Sequence, residues 1–212
     1  MLDVLFFCEG TYPYVSGGVS SWIHQLITGM PDLNFGILYL ATSEKSEREL
    51  KYTLPPNLKT MVEFYLYDFV DFPRPTTGSQ AQAWEDVGPF LRGLFAGNGV
   101  GFDKAYSAVC GESGGLPALS YRDLTSSKGS WDLLTDVYNK NFKQASFSDF
   151  FFWSWRYAHY PLYKLFAADI PKARVYHAVT TGWCGLLGAI AARRHQRPLL
   201  LTEHGLYVNE RR

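Results

Sequence analysis

The chain opens on a short, unbroken apolar run, Val4-Leu5-Phe6-Phe7, with none of the polar alternation of a half-wet strand. Such a run suits a parallel strand covered on both faces. Val19, Trp22, Ile23, Leu26 and Ile27 then recur at i, i+3, i+4, i+7 and i+8, the stripe of an amphipathic helix, and Gly29 supplies its stop. Asn34 to Leu40 reads as a second buried strand. In Thr60 to Tyr67, Val62, Phe64 and Leu66 alternate with Glu63, Tyr65 and Tyr67, the pattern of a third strand near a sheet edge.

From about residue 73 to 168 the alternation stops and helical patterns between glycine-rich turns replace it. Trp84, Val87, Phe90, Leu91, Leu94 and Phe95 form one stripe, and Trp131, Leu134, Val137, Tyr138 and Phe142 another. Ser146 with Asp149 is a shortened capping signal for a segment that is apolar nearly all round, from Phe147 to Tyr160. Strand and helix then alternate again. Val175 to Val179 is a strand, Gly182 opens a helix, and Leu199 to Thr202 is the next strand. The prediction is an α/β fold, a Rossmann-like parallel sheet with helices on both faces, spanning 1–212 as one domain with a helical, aromatic-rich insertion at about 73–168.

Composition changes this picture by exclusion. Twenty basic and twenty acidic residues cancel without any long like-charge run, so nucleic acid is not an expected partner. Cys8, Cys110 and Cys184 lack ligand spacing, and the five histidines do not cluster, so no metal site is expected. Met1 to Phe7 has no basic flank and is too short to span a bilayer, which makes a cytoplasmic protein the expectation. Fourteen Tyr, six Trp and fifteen Phe invite a sugar-stacking reading, but aromatics at helical spacing are more often core.

Candidate chemistry gathers where ligands bind in open parallel sheets, beyond the carboxyl ends of the strands. Three polar clusters fall there: Glu9 to Gly18, His177 to Gly182, and Thr202 to Gly205. One helical crossover joins the last two strands, so His177 and His204 emerge on the same edge. Gly17 and Gly18 stand where a helix's first N–H groups have no partner, a geometry suited to an anion, although a glycine pair also serves a tight turn or close packing. The pair lacks the spacing of a dinucleotide fingerprint and the lysine of a P-loop. His177 reads equally as a satisfied strand-end histidine, and His204 as turn chemistry. Glu9 and Glu203 read as acid/base groups or as ordinary surface carboxylates.

Cys8 to Trp22, Tyr176 to Gly182 and Thr202 to Tyr207 together resemble the N-terminal domain of PelF-type glycosyltransferases, and the likeness covers nearly the whole chain. Those enzymes are similar to family 4 retaining glycosyltransferases of the GT-B fold, in which two Rossmann-like domains face each other across a nucleotide-sugar cleft. The resemblance implies a UDP-sugar donor, a growing exopolysaccharide of Pel type as acceptor, no metal or other cofactor, and membrane-bound synthesis proteins as partners. It implies that Gly17, Gly18 and Val19 meet the donor diphosphate and reacting sugar, and that His177 orients the donor sugar. His204 and Glu203 would line the acceptor side, as would Glu9, Tyr12, Thr181 and Gly182. Transfer would be front-face, with the leaving phosphate taking the acceptor proton and no protein nucleophile. In the family most nucleotide contacts belong to a C-terminal domain absent from these 212 residues, so the chain by itself is expected to lack appreciable transferase activity. Two other readings stand beside this one: a non-catalytic interaction module of a polysaccharide-synthesis complex, and half of a GT-B-like sugar-nucleotide epimerase.

Overall fold

The computed structural model describes residues 1–45, 48–68, 80–95, 97–111 and 117–204. The chain divides into two compact units, one of residues 1–68 with 168–212 and the other of residues 69–167.

The first unit is a five-stranded sheet in which every pairing is parallel. Its strands are β1 (Leu2–Glu9), β2 (Phe35–Ala41), β3 (Leu58–Tyr65), β4 (Ala173–Ala178) and β5 (Leu199–Leu201), in the order β3-β2-β1-β4-β5. This confirms the Rossmann-like α/β reading. β1, β3 and β4 begin earlier than hydropathy alone indicated, because pairing continues past the apolar run: Leu2 sits opposite Ala173, and Phe35 opposite Leu58. Central β1 and β2 are buried almost throughout, whereas β3 is half-exposed, as its alternation predicted for an edge.

Side-chain alternation sends Phe6 and Cys8 of β1, and Phe35, Ile37, Tyr39 and Ala41 of β2, to one face, where Ile23 and Ile27 of α1 (Gly18–Gly29) complete the core. On the other face α8 (Gly182–His195) lies on β1, β4 and β5. A Cβ on Gly188 would stand 2.7 Å from Leu199 Cδ1, so this glycine sets how closely α8 approaches the sheet. The buried side of α8 is carried by Cys184, Leu187, Ile190 and Ala191. The C-terminal end of α1 is held by buried Asn57, whose amide donates to the carbonyls of Ile27 (2.8 Å), Met30 (3.0 Å) and Leu33 (3.3 Å).

The second unit contains α2 (Gln80–Phe95), α3 (Phe102–Cys110), α4 (Tyr121–Ser126), α5 (Lys128–Asn141), α6 (Phe147–Asp149), a π-helical stretch (Phe150–Trp155) and α7 (Arg156–Ala167). Ser146 accepts from the Asp149 N–H at 3.2 Å, as its spacing predicted. A full capping box lies elsewhere, at Ser120 and Asp123. Trp131 departs from its expected core place: it is 54 % exposed, and α5 buries Leu133, Leu134 and Val137 instead. Among the described residues no helix is long and apolar enough to cross a membrane.

Candidate ligand site at the carboxyl edge of the sheet

After β1 the chain runs to β2 and β3 on one side of the sheet, and returns to β4 and β5 on the other. The carboxyl ends of β1 and β4 therefore border the topological switch point, the crevice where such sheets take ligands. Two of the predicted clusters occupy these two ends.

At the end of β1, Gly10 takes φ +60° and the chain turns through Thr11 to Gly17 into α1, with a cis Tyr12–Pro13 peptide. No side chain caps α1, which leaves the N–H groups of Gly18, Val19 and Ser20 at the positive end of the helix dipole. The turn-only reading of the glycine pair finds no support in the backbone. Gly17 is extended at φ 173°, Gly18 is not in the left-handed region, and among the described residues a Cβ on either would meet nothing within 4 Å. Both are exposed. Val19 is half-buried against the core, so its contribution to this turn is its backbone.

At the end of β4, His177 is 8 % exposed and pairs in register with Phe6, whose ring lies 5.0 Å from the imidazole. Its Nε2 shares a 2.7 Å hydrogen bond with Thr202 Oγ1. Burial, and then the neighbouring His204, hold the His177 pKa below the usual histidine range, so the ring is neutral near pH 7. The sheet edge does bring the two histidines together, but through Trp22. Its indole stands edge-on to His177 at 5.7 Å and to exposed His204 at 4.8 Å. Gly18 precedes Trp22 by four residues, so the open helix start lies one turn, about 5.4 Å, along the same face.

Glu203 accepts from the Thr181 N–H at 3.0 Å, tying the loop after β5 to the start of α8. Gly182, at φ +66°, heads that helix in a conformation that favours glycine. The loops after β4 and β5 are therefore linked at the carboxyl edge of the sheet. Glu9 is half-buried beside the end of β1, and burial raises its carboxyl pKa above the usual range. Tyr12 does not line the crevice: its side chain is fully buried, and its hydroxyl meets His24 Nδ1 at 3.2 Å. It holds the turn from within. Gly205 to Tyr207 lie outside the described residues.

Sequence reasoning missed Trp22 as a site residue and placed Thr202 in the third polar cluster without a role of its own. Trp22 satisfied the helical stripe, which reads as core. No group of three His, Cys, Asp or Glu side chains among the described residues is placed to hold a metal ion. The three cysteines are free thiols, and burial pushes the Cys8 pKa up to about 12. What the site offers is a neutral imidazole with a fixed hydrogen bond, an aromatic edge, uncapped N–H donors and a partly desolvated carboxylate. That set suits an uncharged hydroxylated group next to an anion.

Fold and site thus define a Rossmann-like α/β domain with a candidate ligand site at its switch point. Residues 2–212 match the family described as "Domain of unknown function (DUF3492)", and the chain belongs to that family. No curated protein and no solved structure matches it.

Proposed function

We propose that this domain is the acceptor-side half of a retaining, PelF-like glycosyltransferase of family 4, which transfers sugar from a UDP-sugar to a growing exopolysaccharide in the cytoplasm. The observation that carries the reading is the state of Gly17 and Gly18. Neither backbone angle nor packing against the described residues requires glycine there, yet both head an uncapped helix one turn from the Trp22–His177–His204 cluster. A Cβ-free approach for an anion explains the pair.

In this reading the N–H groups of α1 stabilise charge developing on the departing diphosphate. His177, neutral and oriented by Thr202, hydrogen-bonds a hydroxyl of the donor sugar. The bond between the anomeric carbon and the diphosphate oxygen breaks as the acceptor oxygen bonds to the same face, and the acceptor proton passes to the departing phosphate oxygen. No side chain is called on as nucleophile. Glu9, Thr181, Gly182, Glu203 and His204 form the acceptor wall. A second Rossmann-like domain, as in the family the sequence resembles, would take the nucleotide.

The test is titration of the isotopically labelled chain with UDP-glucose and UDP-N-acetylgalactosamine, followed by amide and imidazole NMR. Shifts at Gly18 to Ser20 and at His177, lost together in Gly18→Val, are expected. Shifts elsewhere only, or none at millimolar ligand, would refute the assignment. One observation favours a second reading, a docking module for synthesis partners: Trp153 and Phe152 of the π-helical stretch are 75 % and 52 % exposed.

A further inference from the structure

Behind the glycine turn, on the β3 side, a second polar assembly has no role in the chemistry above. Its centre is Glu63 of β3, which accepts three side-chain donors. The Tyr14 hydroxyl donates to Oε1, and Arg48 Nη2 (2.6 Å) and the Tyr65 hydroxyl (2.8 Å) both donate to Oε2. Arg48 also donates through Nη1 to the Ser43 carbonyl at 2.9 Å, and its guanidinium lies 5.8 Å from the Tyr14 ring and 5.5 Å from that of Tyr65.

Tyr14 belongs to the turn, four residues before Gly18. Glu63 stands in register with Tyr39 of β2, and the Tyr14 ring packs edge-on against Tyr39 at 4.9 Å. Tyr14 therefore reaches from the end of β1, across β2, to β3. The segment after Arg48 adds a second tie. The Lys51 N–H donates to the Pro13 carbonyl at 3.0 Å, and the Tyr52 ring sits 5.0 Å from Tyr12 and 5.2 Å from His24.

We propose that Glu63 and Arg48 are positioning residues that clamp the glycine turn through Tyr14, fixing the direction in which the N–H groups of α1 meet their anion. An exposed ion pair is worth little. Here the side chains of Arg48 and Glu63 are only 15 % and 21 % exposed, and both carboxylate oxygens are filled by directed, partly charge-assisted bonds. The turn itself ends in two glycines that supply no rigidity of their own, and an anion site gains affinity when its donors are fixed before the ligand arrives. Truncating Glu63 leaves a guanidinium and two phenols without their acceptor and frees the turn. The identity of the anion rests on the proposed function; the clamp is a property of the free protein.

Native-state hydrogen exchange on the ligand-free full chain tests it. The Tyr14 and Val15 amides, both bonded to the Thr11 carbonyl, report on the turn. Glu63→Ala is expected to speed their exchange about tenfold while β1 and β2 amides keep their rates. Tyr14→Phe should produce a smaller change of the same pattern and add nothing in the Glu63→Ala background, because the Tyr14–Glu63 bond is already absent there. Unchanged turn amides, equal acceleration of turn and strands, or additive effects would overturn the clamp. A parallel UDP-glucose titration keeps the two proposals apart. Turn amides that respond to Glu63→Ala, in a wild-type chain that ignores UDP-glucose, would uphold the clamp and sink the transferase reading.

Discussion

Gly18 and Gly182 make an internal comparison. Each heads a helix, and a Cβ on either meets nothing within 4 Å among the described residues, so packing there does not distinguish them. Only backbone angle does: Gly182 sits at φ +66°, and Gly18 lies outside the left-handed region. Alanine at Gly18 should therefore stabilise the folded chain by about 0.4–1 kcal/mol, through the smaller conformational freedom of the unfolded state. For a chain of this length that raises the melting temperature by about 1–4 °C. Alanine at Gly182 should cost about 1–2 kcal/mol for its left-handed angle and lower the melting temperature correspondingly. Thermal melts of the two variants at one pH give the signs directly. The same Gly18→Ala protein, more stable than wild type, should respond more weakly to UDP-sugar, because its methyl group occupies the anion's approach. A loss of stability in Gly18→Ala would show that the fold does require this glycine. A gain of stability with undiminished UDP-sugar response would remove the glycine pair as evidence for a ligand.

Thr202→Val removes the 2.7 Å bond to His177 Nε2 while keeping the side chain's volume; imidazole ¹⁵N shifts should report a mixture of tautomers, and unchanged shifts would mean that Thr202 does not orient the ring. Asn57→Ala deprives the Ile27, Met30 and Leu33 carbonyls of their shared donor and should cost about 1–3 kcal/mol in urea unfolding, with exchange rising at the last turn of α1; a cost within error of zero would contradict it. Buried His159, stacked on Trp155 at 3.9 Å with Nδ1–H donating to the Trp155 carbonyl, has its pKa lowered from 6.5 to about 4 by burial. Because the unfolded chain takes up this proton first, the stability it contributes is intact above pH 6.5 and lost as pH falls toward 4, by roughly 3 kcal/mol in total. Unfolding midpoints at pH 7 and pH 4.5 should converge in His159→Gln, and an undiminished acid slope in that variant would refute the assignment.

The sheet was legible in the sequence because β1 and β2 are buried on both faces and carry unbroken apolar runs, while β3 alternates as an edge does. The stretch from Phe150 to Trp155 was legible only as apolar. A segment with apolar residues all round has no stripe from which to read a period, so its π-helical winding left no trace. Trp131 and Trp22 show what a stripe leaves open. Both fall on helical stripes, yet Trp131 projects into solvent beside a buried Leu133, and Trp22, packed against the core as its stripe predicts, also meets two histidines, on β4 and on the loop after β5, that are more than 150 residues away. Helical spacing fixes the face of a helix but not what that face meets.

The glycine turn shows which further step needed coordinates. Sequence spacing left its two readings level because both predict two small residues before an amphipathic helix. They differ in quantities that a sequence does not carry: the sign of φ and the free volume at Cβ. Both measures count against the turn-only reading, and the order that the turn needs comes from elsewhere, through Tyr14 to Glu63, 49 residues apart in the chain. That pairing arises only because the order β3-β2-β1 sets the ends of β1 and β3 on either side of β2, within reach of one tyrosine side chain. A flexible, Cβ-free turn and a rigid clamp behind it are complementary requirements of one anion site, since the first gives the ligand access to the backbone and the second gives the backbone a direction.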